Sequence, residues 1–159
     1  MPGIRSGKVK GPYVGPSGPG GGTPTNPTAV PTWFPCIAFT YQDFTGFAAL
    51  VGDVQKYSLP SQCTIEGVAL KTSIAFAGPG ITAVTLSVGL VGNLAKYLSP
   101  YDAFAAVSNT RIGASNVLFP ESFGGATSIR LSAQSAGANL SVLTAGAGCL
   151  WLKVAKLTP

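Results

Sequence analysis

The chain contains no histidine, so the side chain that most often serves as general base and as neutral metal ligand is missing. A Ser/His/Asp triad or a Cys/His pair is therefore excluded. Acid–base chemistry would have to rest on five carboxylates, Asp43, Asp53, Glu66, Asp102 and Glu121. A glycosidase needs two of these flanking a bound sugar. None stands in a recognisable motif, so the sequence predicts no enzyme, and a lytic glycosidase is the third class weighed, on the carboxylates alone. The three cysteines, Cys36, Cys63 and Cys149, lack the Cys-x-x-Cys spacing of a zinc site. They read as small buried hydrophobes, too few and too far apart for a disulfide framework, with at least one thiol left free by the odd count. That usage points to assembly in a reducing cytosol. Gly18 to Gly22 lacks the lysine and hydroxyl that close a Walker loop, and no strand precedes it, so it reads as linker. No cofactor, metal or small-molecule substrate is expected.

What would position a binding surface is divided in two. The first 35 residues hold 8 of the 13 prolines and 8 of the 21 glycines, with Arg5, Lys8 and Lys10 and no carboxylate. So little aliphatic surface cannot offset the entropy of ordering the segment, which makes residues 1–35 an arm that needs a partner. At about 3.1 Å per residue it reaches on the order of 100 Å when extended. Residues 36–159 form one domain. Only 9% of the chain is charged, far below the roughly 25% usual for soluble domains. A surface of Ser, Thr, Ala, Gly and Asn suits a domain that hides part of itself in an oligomer or against a larger body.

Of the net charge of +5, the arm supplies +3 and the body, with seven cations and five carboxylates, +2. Lys56, Lys71, Lys96, Arg111, Arg130, Lys153 and Lys156 are dispersed rather than clustered among aromatics, which argues against nucleic acid as the partner. Met1-Pro2-Gly3-Ile4-Arg5 leads into glycine and proline with no apolar signal core, and no run has the length of a membrane span, so no membrane is expected.

Strand patterning dominates from Trp33 onward. Ile37 to Tyr41 alternates, Phe47 to Tyr57 is a mixed apolar run, and Cys63 to Phe76 carries Ile65, Val68, Leu70, Ile74 and Phe76. Val84, Leu86 and Val88 oppose Thr85 and Ser87; Ile129, Leu131 and Ala133 oppose Arg130, Ser132 and Gln134; Leu150, Leu152 and Val154 oppose Trp151, Lys153 and Ala155. Turn residues fall at Gly78-Pro79-Gly80, Gly92-Asn93, Ser99-Pro100, Phe119-Pro120 and Gly124-Gly125. Leu94 to Phe104 is helix-like but broken by Ser99-Pro100, so a loop with at most one turn is expected there. Six to nine strands make an all-β fold, an antiparallel β-sandwich or jelly roll.

Two stretches carry a resemblance. Val84-Thr85-Leu86-Ser87-Val88-Gly89 with Lys96-Tyr97-Leu98 and Tyr101-Asp102-Ala103-Phe104 is the first. The second is Ile129 to Ala133, Gly137-Ala138-Asn139-Leu140-Ser141, Leu143-Thr144-Ala145-Gly146 and Trp151-Leu152. Together they resemble the capsid decoration, or cement, proteins of tailed bacteriophages, a family of small β-sandwiches. In its own right the second run suggests a tight turn at Asn139, Leu140 and Leu143 plugging the open end of a sandwich, and positive φ at Gly146.

The resemblance implies a structural virion protein, a homotrimer at the local threefold axes of the head's outer surface, clamping neighbouring major capsid subunits and assembled in the host bacterial cytoplasm. It also implies an arm that touches the shell, though this arm is longer and richer in Pro and Gly than the resemblance requires. Arg5, Lys8, Lys10 and Tyr13 are the candidate capsid-binding residues of that arm, and Trp33 with Phe34 the candidate anchor pinning it to the sandwich. The alternative is a receptor- or carbohydrate-binding module of a phage fibre, equally β-rich and free of histidine chemistry.

Overall fold

Two antiparallel sheets face each other across an apolar core in the computed structural model, which describes residues 32–33, 35–104, 107, 111–112 and 121–156. In chain order the strands are β1 (Thr32–Trp33), β2 (Ile37–Thr40), β3 (Val51–Leu59), β4 (Cys63–Ala77), β5 (Ala83–Leu90), β6 (Asn93–Asp102), β7 (Arg111–Ile112), β8 (Glu121–Phe123), β9 (Thr127–Ala136) and β10 (Ala145–Lys156). The ten strands among the described residues exceed the six to nine expected because both edges of one sheet are split. In that sheet β1 and β2 pair successive parts of β10, β10 pairs β4, and β7 and β8 pair successive parts of β4. The other sheet runs β3-β9-β5-β6.

With each split edge counted as one strand, the described residues make eight strands ordered 1-8-3-6 and 2-7-4-5, the topology of a jelly roll. Consecutive strands mostly sit in opposite sheets, so the connections cross the ends of the sandwich and every strand places one face inward. The inward residues are those the alternation picks out. Val84, Leu86, Val88, Ile129, Leu131 and Ala133 of the second sheet are fully buried against Ile65, Val68, Leu70, Leu150 and Leu152 of the first.

Leu140 and Leu143 are buried at the sandwich's end, and Gly146 has φ +140°. Asn139 itself is extended at φ −65°; the left-handed residue of that connection is Gly137, φ +86°. Phe76 stacks on Phe39 at 6.3 Å and meets Phe44 edge-on at 6.1 Å, closing the core at the same end as Gly146.

Leu94 to Phe104 is not a loop: most of it is β6, and Ser99-Pro100 lies within that strand rather than in a turn. Leu86 pairs Tyr101 while Val88 pairs Leu98, so Ser99 and Pro100 together oppose Ser87 in a bulge. β6 is the edge of its sheet, where a residue without an N–H costs no ladder hydrogen bond. The hairpin into it turns at Val91-Gly92, with Gly92 at φ +85°. The turn residues Phe119-Pro120 lie outside the described residues, whereas Gly124-Gly125 separates β8 from β9.

Candidate functional site

A bulge in β3 sets the first feature of the surface. Gln55 pairs Arg130 and Tyr57 pairs Ile129, which leaves Lys56 between them without a counterpart on β9. The extra residue is left unpaired in an edge strand, with its side chain only 10% exposed. Its ammonium lies 2.7 Å from Asp43 and donates to the Ala38 carbonyl at 3.4 Å, joining the second sheet to the stretch around β2 on one open side of the sandwich. On the other open side Lys96 of β6 pairs with Glu121 of β8, and the Tyr97 hydroxyl donates to the same carboxylate at 2.7 Å. Burial, then the hydrogen bond to Glu121, push the Tyr97 phenol far above its usual value. A lysine of the second sheet thus meets a carboxylate of the opposite layer on each side.

The remaining carboxylates are also engaged. Asp53 pairs with Arg130, Glu66 lies 3.4 Å from Lys153, and Asp102 accepts the Phe104 N–H at 2.8 Å. A groove beside the β5–β6 turn is lined by Asp53, Val91, Gly92, Asn93, Leu94, Ala95 and Arg130. It offers a single carboxylate, already neutralised, where glycoside hydrolysis needs two.

The outer faces match the bland surface expected from composition. On the second sheet Val51, Thr85, Ser87, Ser132 and Gln134 surround the Asp53–Arg130 pair. On the first, Lys71, Cys149, Trp151 and Lys153 face outward, opposite to Leu70, Leu150 and Leu152. Leu50, Val51, Ile74, Val91 and Val107 are exposed apolar residues.

Of the residues the sequence singles out, Arg5, Lys8, Lys10, Tyr13 and Phe34 lie outside the described residues. Trp33 is in β1, opposite Lys153 of β10, so the end of the stretch read as arm is already a strand of the first sheet.

The cysteines need correction. Cys36 and Cys149 form a disulfide with Cα atoms 5.3 Å apart, and Cys36 is exposed rather than buried. Their separation of 113 residues gives no hint of it; only the register of β2 on β10, with Cys149 opposite Ala38, brings them together. Cys63 does fit the buried reading, its Sγ donating to the Pro60 carbonyl at 3.1 Å, and burial pushes its thiol pKa up. Sequence reasoning missed the two lysine bridges as well: a bulge such as the one at Lys56 leaves no mark in a period-two pattern, and the approach of Lys96 to Glu121 depends on which strands share an open side.

No protein-family model matches the chain, and no curated protein matches it. Among solved structures the chain is similar to a chain of the cyanophage Pam1 capsid asymmetric unit, with a TM-score of 0.54 and 20% identity over 99% of this chain and 100% of that one. At that identity the likeness is one of fold, and it extends from end to end.

Proposed function

We propose that this chain is a structural virion protein of a bacteriophage, a capsid decoration protein that binds the outside of the head as a trimer and stabilises contacts between major capsid subunits. One observation carries the reading: a jelly roll that aligns over its whole length with a similarly long chain of a phage capsid asymmetric unit. The weakly charged outer faces and the engagement of all five carboxylates in internal contacts favour a role in packing over one in chemistry.

The mechanism is multivalent. Each domain makes modest contacts with the shell and each arm adds another, so the first contact raises the effective concentration of the rest, and avidity grows without any single strong site. Arg5, Lys8, Lys10 and Tyr13 contact an acidic or polar track on the major capsid protein, and Trp33 with Phe34 anchors the arm to the sandwich.

The test is reconstitution. Purified protein added to expanded heads that lack it should appear by electron cryomicroscopy as trimers on the outer surface at the local threefold positions. Absence of binding to heads, with retention on host cells or a glycan array, would replace this reading with that of a fibre module.

A further inference from the structure

Cys149 stands on the outer face of the first sheet with Lys71 of β4 as its register partner, which makes this lysine its nearest cross-strand neighbour on that face. Lys71 is exposed and makes no ion pair among the described residues. The other charges around Cys149 are engaged. Lys153, further along β10 on the same face, lies against Glu66, and Lys56, bonded to the carbonyl of Ala38 across from Cys149, is paired with Asp43. β2 itself carries no charged side chain. An unengaged cation beside a sulfur favours its thiolate over its thiol. Cys36, at the other end of the bond, is exposed whereas Cys149 is half-buried, so a thiol arriving from solvent meets the Cys36 sulfur first.

The two sulfurs are held near each other by more than their own bond. Phe39 of β2 is buried, stacks on Phe76 and lies opposite Gly148, where its ring occupies the place a side chain would take. β2 is thereby seated on β10 just after Cys36 whether the disulfide is open or closed.

We infer that Cys36, Cys149 and Lys71 form a reversible thiol–disulfide site whose substrates are low-molecular-weight thiols and disulfides, with Cys36 as the sulfur that exchanges with solvent and Cys149 as the resolving thiolate. In opening, a glutathione thiolate attacks the Cys36 sulfur and expels Cys149 as a thiolate beside Lys71; a second glutathione thiolate attacks the glutathione sulfur of the mixed disulfide and releases Cys36. One protein disulfide is reduced to two thiols, two glutathiones are oxidised to their disulfide, and the two thiol protons pass from glutathione to the cysteines. Closing is the reverse, with the Cys149 thiolate attacking the Cys36 sulfur. Each closure ties residues 113 apart, a loop spanning most of the body, so the site gives the sandwich two levels of stability, the lower in a reducing cytoplasm and the higher in an oxidising medium. Cys63, buried in the core, takes no part.

Purified full-length protein in glutathione redox buffers tests the site without any capsid. Alkylation followed by intact mass should show the bond opening and closing reversibly in the folded chain, and Cys149→Ser treated with oxidised glutathione should collect one glutathione on Cys36. A bond that excess reduced glutathione leaves closed overturns the inference. With Cys36→Ser as background, the rate of Cys149 alkylation against pH should have its midpoint about one pH unit lower than when Lys71→Gln is added, and Lys71→Arg should keep the low midpoint; equal midpoints overturn the role of Lys71. The reduced wild type and Cys149→Ser should melt about 10 °C or more below the oxidised protein while keeping its far-ultraviolet circular dichroism. Equal melting temperatures overturn the two stability levels, and loss of the folded spectrum on reduction overturns reversibility.

Discussion

Leu86→Ala is the sharpest probe of how this sandwich is built. Leu86 is fully buried near the middle of β5, an inner strand of its sheet, and pairs with Tyr101 on β6 and Ala133 on β9. Truncating a core leucine removes transfer free energy and leaves a cavity, together about 2–5 kcal/mol depending on how far the site collapses. Collapse is hindered here, because the neighbour on β9 is already an alanine and Tyr101 is held by a 2.6 Å hydrogen bond between its hydroxyl and that of Thr72 on the opposite sheet. The loss should therefore fall in the upper part of the range, about 3–5 kcal/mol. At about 4 °C per kcal/mol for a domain of this size, the midpoint should drop by about 12–20 °C. Thr85, one residue earlier, faces outward opposite Gln134, and Thr85→Ala should cost under about 1 kcal/mol. Thermal melts followed by circular dichroism, at two protein concentrations to separate fold stability from oligomer stability, measure both. Equal shifts for the two variants would refute the assignment of faces, and with it the argument that the period-two pattern defines the core.

Gly146→Ala should destabilise the fold by more than about 2 kcal/mol in denaturant titration, since a methyl at φ +140° would lie 2.5 Å from the Phe76 ring, while Gly92→Ala, at φ +85° with open space around it, should cost only about 1 kcal/mol. Burial raises the Cys63, Tyr57 and Tyr97 pKa values, so the folded state holds these protons more tightly than the unfolded chain; the stability this supplies is complete below the unfolded values, about 8.5 for Cys and 10 for Tyr, and is lost as pH climbs past them. Melting temperatures should fall above about pH 9, less steeply in Tyr97→Phe, and a midpoint level to pH 11 would contradict this. Deleting residues 2–30, which stops short of β1, should leave melting temperature and trimer nearly unchanged but weaken attachment to heads, with the basic tip's share of that loss shrinking at high salt; full affinity at every salt concentration would make the arm a passive tail.

The strands that alternate strictly were legible from the chain alone, because a residue that repeats every second position must face either core or surface. Val84-Leu86-Val88, Ile129-Leu131-Ala133 and Leu150-Leu152-Val154 all turn inward as their pattern requires. The absence of histidine and the scarcity of charge are likewise properties of the chain alone. Local rules failed at β6, where Ser99-Pro100 looks like a break; a proline is a break or a tolerated bulge according to whether its strand lies at a sheet edge, and strand order is a property of the whole fold. The disulfide belongs to the same class, since three cysteines can pair in three ways and only the register of β2 on β10 selects one. So do the lysine bridges, for Lys56 reaches Asp43 because β3 carries one residue more than β9 across from it, and Lys96 meets Glu121 because β6 and β8 end on the same open side of the sandwich. Periodicity is a property of neighbours in sequence, which the chain itself specifies; register, edges and cross-sheet partners depend on neighbours in space, which only the closed sandwich supplies.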